Sequence, residues 1–425
     1  MTESVQDMWC ARARSVLPAG GFGNYDPSIV IKRGRGARVW DEDGKEYIDY
    51  LIGSGPMLVG HNHPEVMEAV QEQLANGMTY FANNAAGIEL AEVICEAVPC
   101  ADQLRYVSSG SEADMYAMRL ARAHSGRNLI LKFEGGYHGM SGEALMSMAP
   151  QRLENFPQAV PDSAGIPQAT RDGVIVAPFN DISFARQIIT EYADQLAGVI
   201  VEPLQRLIPP LPGFLEALRE ETTRHGIVLI FDEVVTGFRL AYGGGQELYG
   251  VTPDLCTLGK VIGGGFPMAA IAGTSDIMAH FDVEKVGPEG LTFQIGTLSG
   301  NPVAAAAGLK TLEILRRAGA YETLRATGRK LMKKLQTEAA RMGLTATLVG
   351  DPVLFDMVFA KAPVADYRDT LRANSDQQRT FNASLRADGI LKAPMKFYVS
   401  LAHTDTEAEV TERAITRAIE AVATA

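Results

Sequence analysis

Between residues 104 and 275 the chain keeps returning to one device. A short run of β-favouring apolar residues is followed by a stretch long enough for a helix, in LRYV, LILKF, VIVA, GVIVE, IVLIF, LCTL and MAAIA. Short strands that are apolar at nearly every position are buried on both faces, and helices between them carry the chain across to a parallel neighbour. The expected middle is a mainly parallel sheet covered by helices on both sides, an α/β architecture. A chain of 425 residues, 46% of them hydrophobic, can bury a core of that size.

From about residue 317 the pattern changes. Leu324, Leu331, Leu335, Ala339 and Met342 form one apolar stripe at helical spacing, and Val410, Ala414, Ile415, Ala418, Ile419 and Val422 form another. Thr406 and Glu409 are spaced as the capping box of the second helix. Strand candidates VLFDMVFA and FYVSLAH lie between the two helices. Near the start, ARVWDEDGKEYIDYLIG reads as a hairpin about Asp43-Gly44. The expected domains are an N-terminal extension over 1–60 packing with the small domain, a large sheet domain over 61–316, and a smaller α+β domain over 317–425.

A net charge of -12 argues against nucleic acid and anionic membrane as partners, because both need clustered Lys and Arg. The opening MTESVQDMWCARARS has no apolar run, and no stretch elsewhere approaches a membrane span, so a cytoplasmic protein is expected. The four cysteines, Cys10, Cys95, Cys100 and Cys256, are too few for a disulfide framework and read as reduced core thiols. His61 and His63 stand two apart without the further ligands of a metal site, and no metal is expected.

GIVLIFDE is a buried strand that ends in Asp232, and open α/β sheets gather ligands at the carboxyl ends of their strands. A buried carboxylate there needs a cationic partner. LCTLGK repeats the arrangement and ends in Lys260, whose amine, where solvent is sparse, loses its proton and can form a Schiff base. An acid paired with a pyridinium nitrogen and a lysine joined to an aldehyde are the two anchors of pyridoxal phosphate. A phosphate cup is on offer where LRYV runs into Ser109-Gly110-Ser111 and a helix, although Ser109 and Glu112 are also spaced as a plain capping box. In FEGGYHG, Tyr137 and His138 follow another strand; the Tyr137 ring suits stacking on a flat cofactor and equally an ordinary half-buried place.

With these residues in view the sequence resembles the class III pyridoxal-phosphate aminotransferases, above all the branch containing glutamate-1-semialdehyde aminomutase. The likeness runs through GSGPMLVGHNHPEV, SSGSEADMYAMRLAR, KFEGGYHGM, VIVEPL, IFDEVVTGFR, YGVTPDLCTLGKVIGGGFP, GTLSGNPVAAAAGL and VSLAHT, in order. It implies the fold type I architecture, with 61–316 holding the cofactor, and a homodimer with shared active sites in which Thr297 reaches the cofactor phosphate of the opposite subunit. It also implies catalytic roles for Lys260 and Asp232, with Ser109, Gly110, Ser111, Tyr137, His138, Glu202, Gln205 and Val234 around the cofactor. Val234 would lie against the ring face opposite Tyr137.

Three departures separate the chain from the aminomutase pattern. GGFGNYDPS lacks the arginine of VNSPVRAF, APMKFYVSLAHT lacks the acid of QFEAGF, and EPLQRLIPP stands in place of EPVAGNMG and its cofactor-contacting asparagine, with Gln205 where class III transaminases have EPVQG or similar. The loop PDSAGIPQAT, similar to the mutase's gating loop, points the other way. The expected activity is a ping-pong aminotransferase that takes an amino group from a β- or ω-amino acid or an amine to a 2-oxo acid. Glutamate-1-semialdehyde 2,1-aminomutase is the alternative. Arg33, Arg35, Arg206, Arg239 and Lys396 are the candidates for holding a substrate carboxylate.

Overall fold

The computed structural model describes residues 4–425; the first three, part of the stretch read for targeting and of the extension over 1–60, lie outside the described residues. In chain order the strands are β1 (Ile31–Arg35), β2 (Arg38–Asp41), β3 (Glu46–Asp49), β4 (Gln103–Val107), β5 (Leu129–Phe133), β6 (Val174–Ala177) and β7 (Leu196–Val201). They continue with β8 (Val228–Asp232), β9 (Leu255–Leu258), β10 (Ala269–Gly273), β11 (Thr347–Asp351), β12 (Leu354–Val358), β13 (Ile390–Leu391) and β14 (Phe397–Tyr398). The chain divides into two units. One holds the described residues up to Pro64 with Gly319–Ala362 and Ala373–Ala425; the other holds Glu65–Ala318 with Pro363–Arg372.

The second unit is built on a seven-stranded sheet of order β4-β10-β9-β8-β7-β5-β6. Strands β6, β5, β7, β8 and β9 pair in parallel, and β10 runs antiparallel to both β9 and β4. Antiparallel pairing at β10 follows from a connection too short to hold a crossover helix. Every residue of β6 to β10 is buried, as their unbroken apolar runs require. Helix Gly110–Ser125 lays Ala113, Ala117, Met118, Leu120 and Ala121 on Ile130, Ala197, Ile200, Ile230 and Ile271 of the sheet.

Residues 363–372, grouped by sequence with 317–425, cluster instead with the sheet unit. The cause is Glu134, only 4% exposed, whose carboxylate takes two bonds from Arg368: Nε to Oε2 at 2.7 Å and Nη2 to Oε1 at 3.1 Å. A buried carboxylate needs such a forked cation.

The first unit carries the sheets β1-β2-β3-β13 and β11-β12-β14. The hairpin about Asp43-Gly44 forms between β2 and β3, with Val39 opposite Tyr47 and Asp41 Oδ1 accepting from the N–H groups of Asp43 and Lys45. Helices Ala320–Arg341, Ser375–Ala387 and Asp405–Thr424 turn their stripes inward, burying Leu324, Leu331, Leu335 and Ala339 on one and Ala414, Ile415, Ala418, Ile419 and Val422 on another, while Met342 and Val410 stay half-buried. The capping box of the last helix is Thr404 with Glu407, not Thr406 with Glu409. Glu407 is held there by Arg38, whose Nη2 lies 2.8 Å from its Oε1, while Thr406 and Glu409 face solvent. All four cysteines are free thiols. Among the described residues no helix is long and apolar enough to cross a membrane.

Candidate active site

Strands β5, β7, β8 and β9 run the same way, so their carboxyl ends deliver side chains to one place. Asp232, the last residue of β8, is 4% exposed. His138, on the loop after β5, sets Nδ1 2.9 Å from Asp232 Oδ2. The Val234 N–H donates to Asp232 Oδ1 at 3.0 Å, and Thr257 Oγ1 on β9 lies 3.4 Å from the same oxygen. A carboxylate only accepts, so His138 Nδ1 carries the ring proton in this pair. His138 Nε2 is then left buried with no hydrogen-bond partner.

Glu202, immediately after β7, accepts from the Tyr137 N–H at 2.9 Å and fixes the loop that carries Tyr137 and His138. Burial pushes the Tyr137 phenol above its ordinary range, opposed by the Arg206 guanidinium 5.3 Å from its ring. Gln205 donates from Nε2 to the Glu134 carbonyl at 2.8 Å, and its Oε1 is buried without a partner. A Cβ on Gly136 would stand 3.1 Å from His138 Nε2 and 3.3 Å from Gln205 Oε1. The two unsatisfied atoms therefore flank one gap. Buried polar atoms are as a rule served by a protein group, an ordered water or a bound ligand.

The turn ahead of helix Gly110–Ser125 forms the expected capping box. Ser109 Oγ accepts from the Glu112 N–H at 3.3 Å, and Glu112 Oε2 accepts from Ser108 and Ser109 at 2.7 and 3.0 Å. The cap leaves the N–H groups of Gly110 and Ser111 outside it, at the positive end of the helix. A Cβ at Gly110 would come within 2.9 Å of Val234 Cγ1, and one at Gly259 within 3.2 Å of the same methyl. Val234 thus packs between the turn that starts helix Gly110–Ser125 and the residue before Lys260. Lys260 is half-buried and opens the 3-10 turn Lys260–Gly263 with φ 47°. A non-glycine residue in that region costs about 1 kcal/mol and is held by its surroundings.

Thr297 is exposed in the turn over 297–300 and takes part in none of these contacts. Of the carboxylate candidates, Arg206 and Arg239 belong to the sheet unit, Arg206 exposed and Arg239 fully buried. Arg33, Arg35 and Lys396 belong to the other unit, where Arg33 lies 3.9 Å over the Trp40 ring. His61 bonds Asp49 at 2.7 Å.

Sequence reasoning passed over Asp114 and Thr257, which are buried behind Asp232. The available signal was an acid at position 114 on the same helical stripe as Ala117, Met118 and Ala121.

Residues 22–416 match the model of the family Aminotransferase class-III. The chain is 43% identical to glutamate-1-semialdehyde 2,1-aminomutase 2 of Brevibacillus brevis over 389 residues, 90% of this chain and 89% of that one. An omega-transaminase from Sphaerobacter thermophilus superposes with a TM-score of 0.92 at 36% identity, covering 99% of this chain and 98% of that one. A beta-phenylalanine aminotransferase from Variovorax paradoxus superposes with a TM-score of 0.86 at 31% identity, covering 97% and 93%. The family match passes through both units of the fold, and the chain belongs to the class III aminotransferases, enzymes whose cofactor is pyridoxal phosphate.

Proposed function

We propose that the enzyme is a transaminase which moves an amino group from a β- or ω-amino acid, or an amine, to a 2-oxo acid in two half-reactions. Gln205 carries the reading. Its buried, unpartnered Oε1 suits a cofactor hydroxyl, and it stands where class III transaminases have the glutamine of EPVQG. The omega-transaminase and beta-phenylalanine aminotransferase likenesses support the donor class. The mutase relative at 43% identity supports the second reading, an intramolecular amino shift that needs no oxo acid.

Pyridoxal phosphate fits these residues. Ser109, Gly110 and Ser111 offer hydroxyls and free N–H groups to a phosphate, Asp232 offers an anion to a ring N–H, and the gap at Gly136 has polar atoms that lack partners. When bound, the cofactor draws electrons from the substrate carbon that bears the amine. Asp232 keeps a proton on the ring nitrogen, and His138 and the Val234 N–H keep Asp232 in place. Tyr137 and Val234 would cover the two ring faces, and Glu202 holds the Tyr137 loop. Lys260 Nζ would tether the cofactor and, as a free amine, would take the proton from that carbon. The reading includes a cytoplasmic homodimer in which the partner subunit's Thr297 completes the phosphate site.

The test is a single-turnover absorbance measurement with one donor at a time and no oxo acid. A β- or ω-amino donor should bleach the visible band of the bound cofactor, and pyruvate or 2-oxoglutarate should restore it. Conversion of glutamate-1-semialdehyde to 5-aminolevulinate without added oxo acid would establish the mutase instead.

A further inference from the structure

Asp114 sits on the sheet-facing stripe of helix Gly110–Ser125, 2% exposed, among Ala113, Ala117 and Met118. One of its carboxyl oxygens, one from Asp232 and a ring nitrogen of His138 all lie within 4.8 Å of one another. Two carboxylates so close and so dry do not both stay ionised. Donor counting says which one gives way. The Thr257 hydroxyl lies 2.6 Å from Asp114 Oδ1 and 3.4 Å from Asp232 Oδ1, and the Asp114 carboxyl also hydrogen-bonds the Asp232 carboxyl directly. Thr257 has one proton to give. Asp232 already takes the Val234 N–H and faces His138 Nδ1, whereas Asp114 has no second donor.

We propose that Asp114 is a neutral carboxylic acid that bonds Asp232 both directly and through Thr257 Oγ1, and that it is thereby a positioning residue for the carboxylate facing the cofactor. The surroundings agree. Burial, then the charge of Asp232, push the Asp114 carboxyl well above the usual carboxylate range, and Glu202 adds in the same direction. The amine of Lys132 on β5 is committed elsewhere, to the carbonyl oxygens of Ala144 and Met146 at 2.7 and 2.6 Å. Asp114 then holds the proton of the pair, and Asp232 remains the anion.

The inference rests on the reading in which Asp232 serves the ring nitrogen, so the test has an arm that does not. In the infrared spectrum of the protein stripped of cofactor, a protonated-carboxyl band should persist at neutral pH, vanish in Asp114→Asn and shift in Thr257→Val. A spectrum without that band, or one that Asp114→Asn leaves unchanged, overturns the proposal. In the holoenzyme, Asp114→Ala and Thr257→Val should raise the dissociation constant of pyridoxal phosphate about tenfold, and Asp114→Asn, a neutral donor in the same place, should stay within about twofold of the parent. An asparagine variant as weak as the alanine variant would make Asp114 an anion and overturn the proposal. Neither readout depends on the amino donor, so an enzyme that proved to be a mutase would still pass or fail here on its own account.

Discussion

The imidazole of His403, in the SLAHT stretch, lies flat on Tyr50 with ring centroids 4.1 Å apart and is 1% exposed. The Ser400 N–H donates to its Nδ1 at 2.9 Å, so the ring proton sits on Nε2, 3.1 Å from the Asp49 carbonyl. A second proton, on Nδ1, would face the Ser400 N–H in a dry site. Burial holds His403 down at about 4, against 6.5 for a solvated histidine. Between those values the unfolded chain binds a proton that the folded chain does not, so stability is lost as the pH falls across that window, by about 1.4 kcal/mol per unit from this group. In His403→Gln the loss of unfolding free energy between pH 7 and pH 5 should be smaller by about 2 kcal/mol, read from denaturant titrations at each pH. Parallel losses in the two proteins would mean that the buried ring is not held neutral. The same physics decides which residues could be read in advance. The places of Asp232 and Lys260 in the fold were legible because each charged residue closes a short, mainly apolar run. Asp114 was not, because an acid in the first turns of a helix looks like ordinary dipole compensation until burial shows which way it faces.

Elements were legible where burial alone decides them, and less so where two elements must meet. The runs of β6 to β10 are strands throughout, whereas the direction of β10 and the attachment of residues 363–372 depend on partners far away in sequence. The clearest case is helix Pro302–Leu315, whose AAAAG run hides a contact. Its N-terminus is capped by Asn301 Oδ1, which accepts from Val303 and Ala304 at 3.0 and 3.1 Å. One helical turn further on, a Cβ at Gly308 would stand 2.1 Å from the carbonyl oxygen of Ile262, inside the turn that Lys260 opens. A backbone oxygen cannot rotate away as a side chain would, so Gly308→Ala must push the Lys260 turn out of place. The expected cost is about 1–3 kcal/mol of stability from overpacking. The expected loss in kcat is larger, about 100-fold, because a small misplacement of a reacting group is costly. Steady-state kinetics beside thermal melts would separate the two effects. A variant that melts early but keeps its kcat would show that the helix does not set the position of the lysine.

At the scale of the molecule, the sheet unit leaves large apolar side chains in water on two segments. Met78, Tyr80, Phe81 and Ile88 lie on one, and Phe293, Ile295 and Leu298 on the other, with Phe81 at 66% and Phe293 at 69% exposure. Both segments line one groove, where Phe81 and Ile88 meet Ile295. Exposed apolar surface gathered in this way marks an association surface. On the proposed reading a second copy of the chain covers it, and Thr297 lies in the midst of the second segment and is exposed there. In a two-fold pair each chain's segment is offered to its mate, so one contact would both bury the apolar groups and supply Thr297 to a phosphate. Phe293→Asp with Ile295→Asp should then halve the mass seen by sedimentation and raise the cofactor's dissociation constant about tenfold, since one partner of a bound anion is lost. Thr297→Ala should weaken cofactor binding to a similar degree while leaving the mass unchanged. If the double variant became monomeric yet held the cofactor as tightly as the parent, the apolar groove would remain an interface, but Thr297 would have no part in the site.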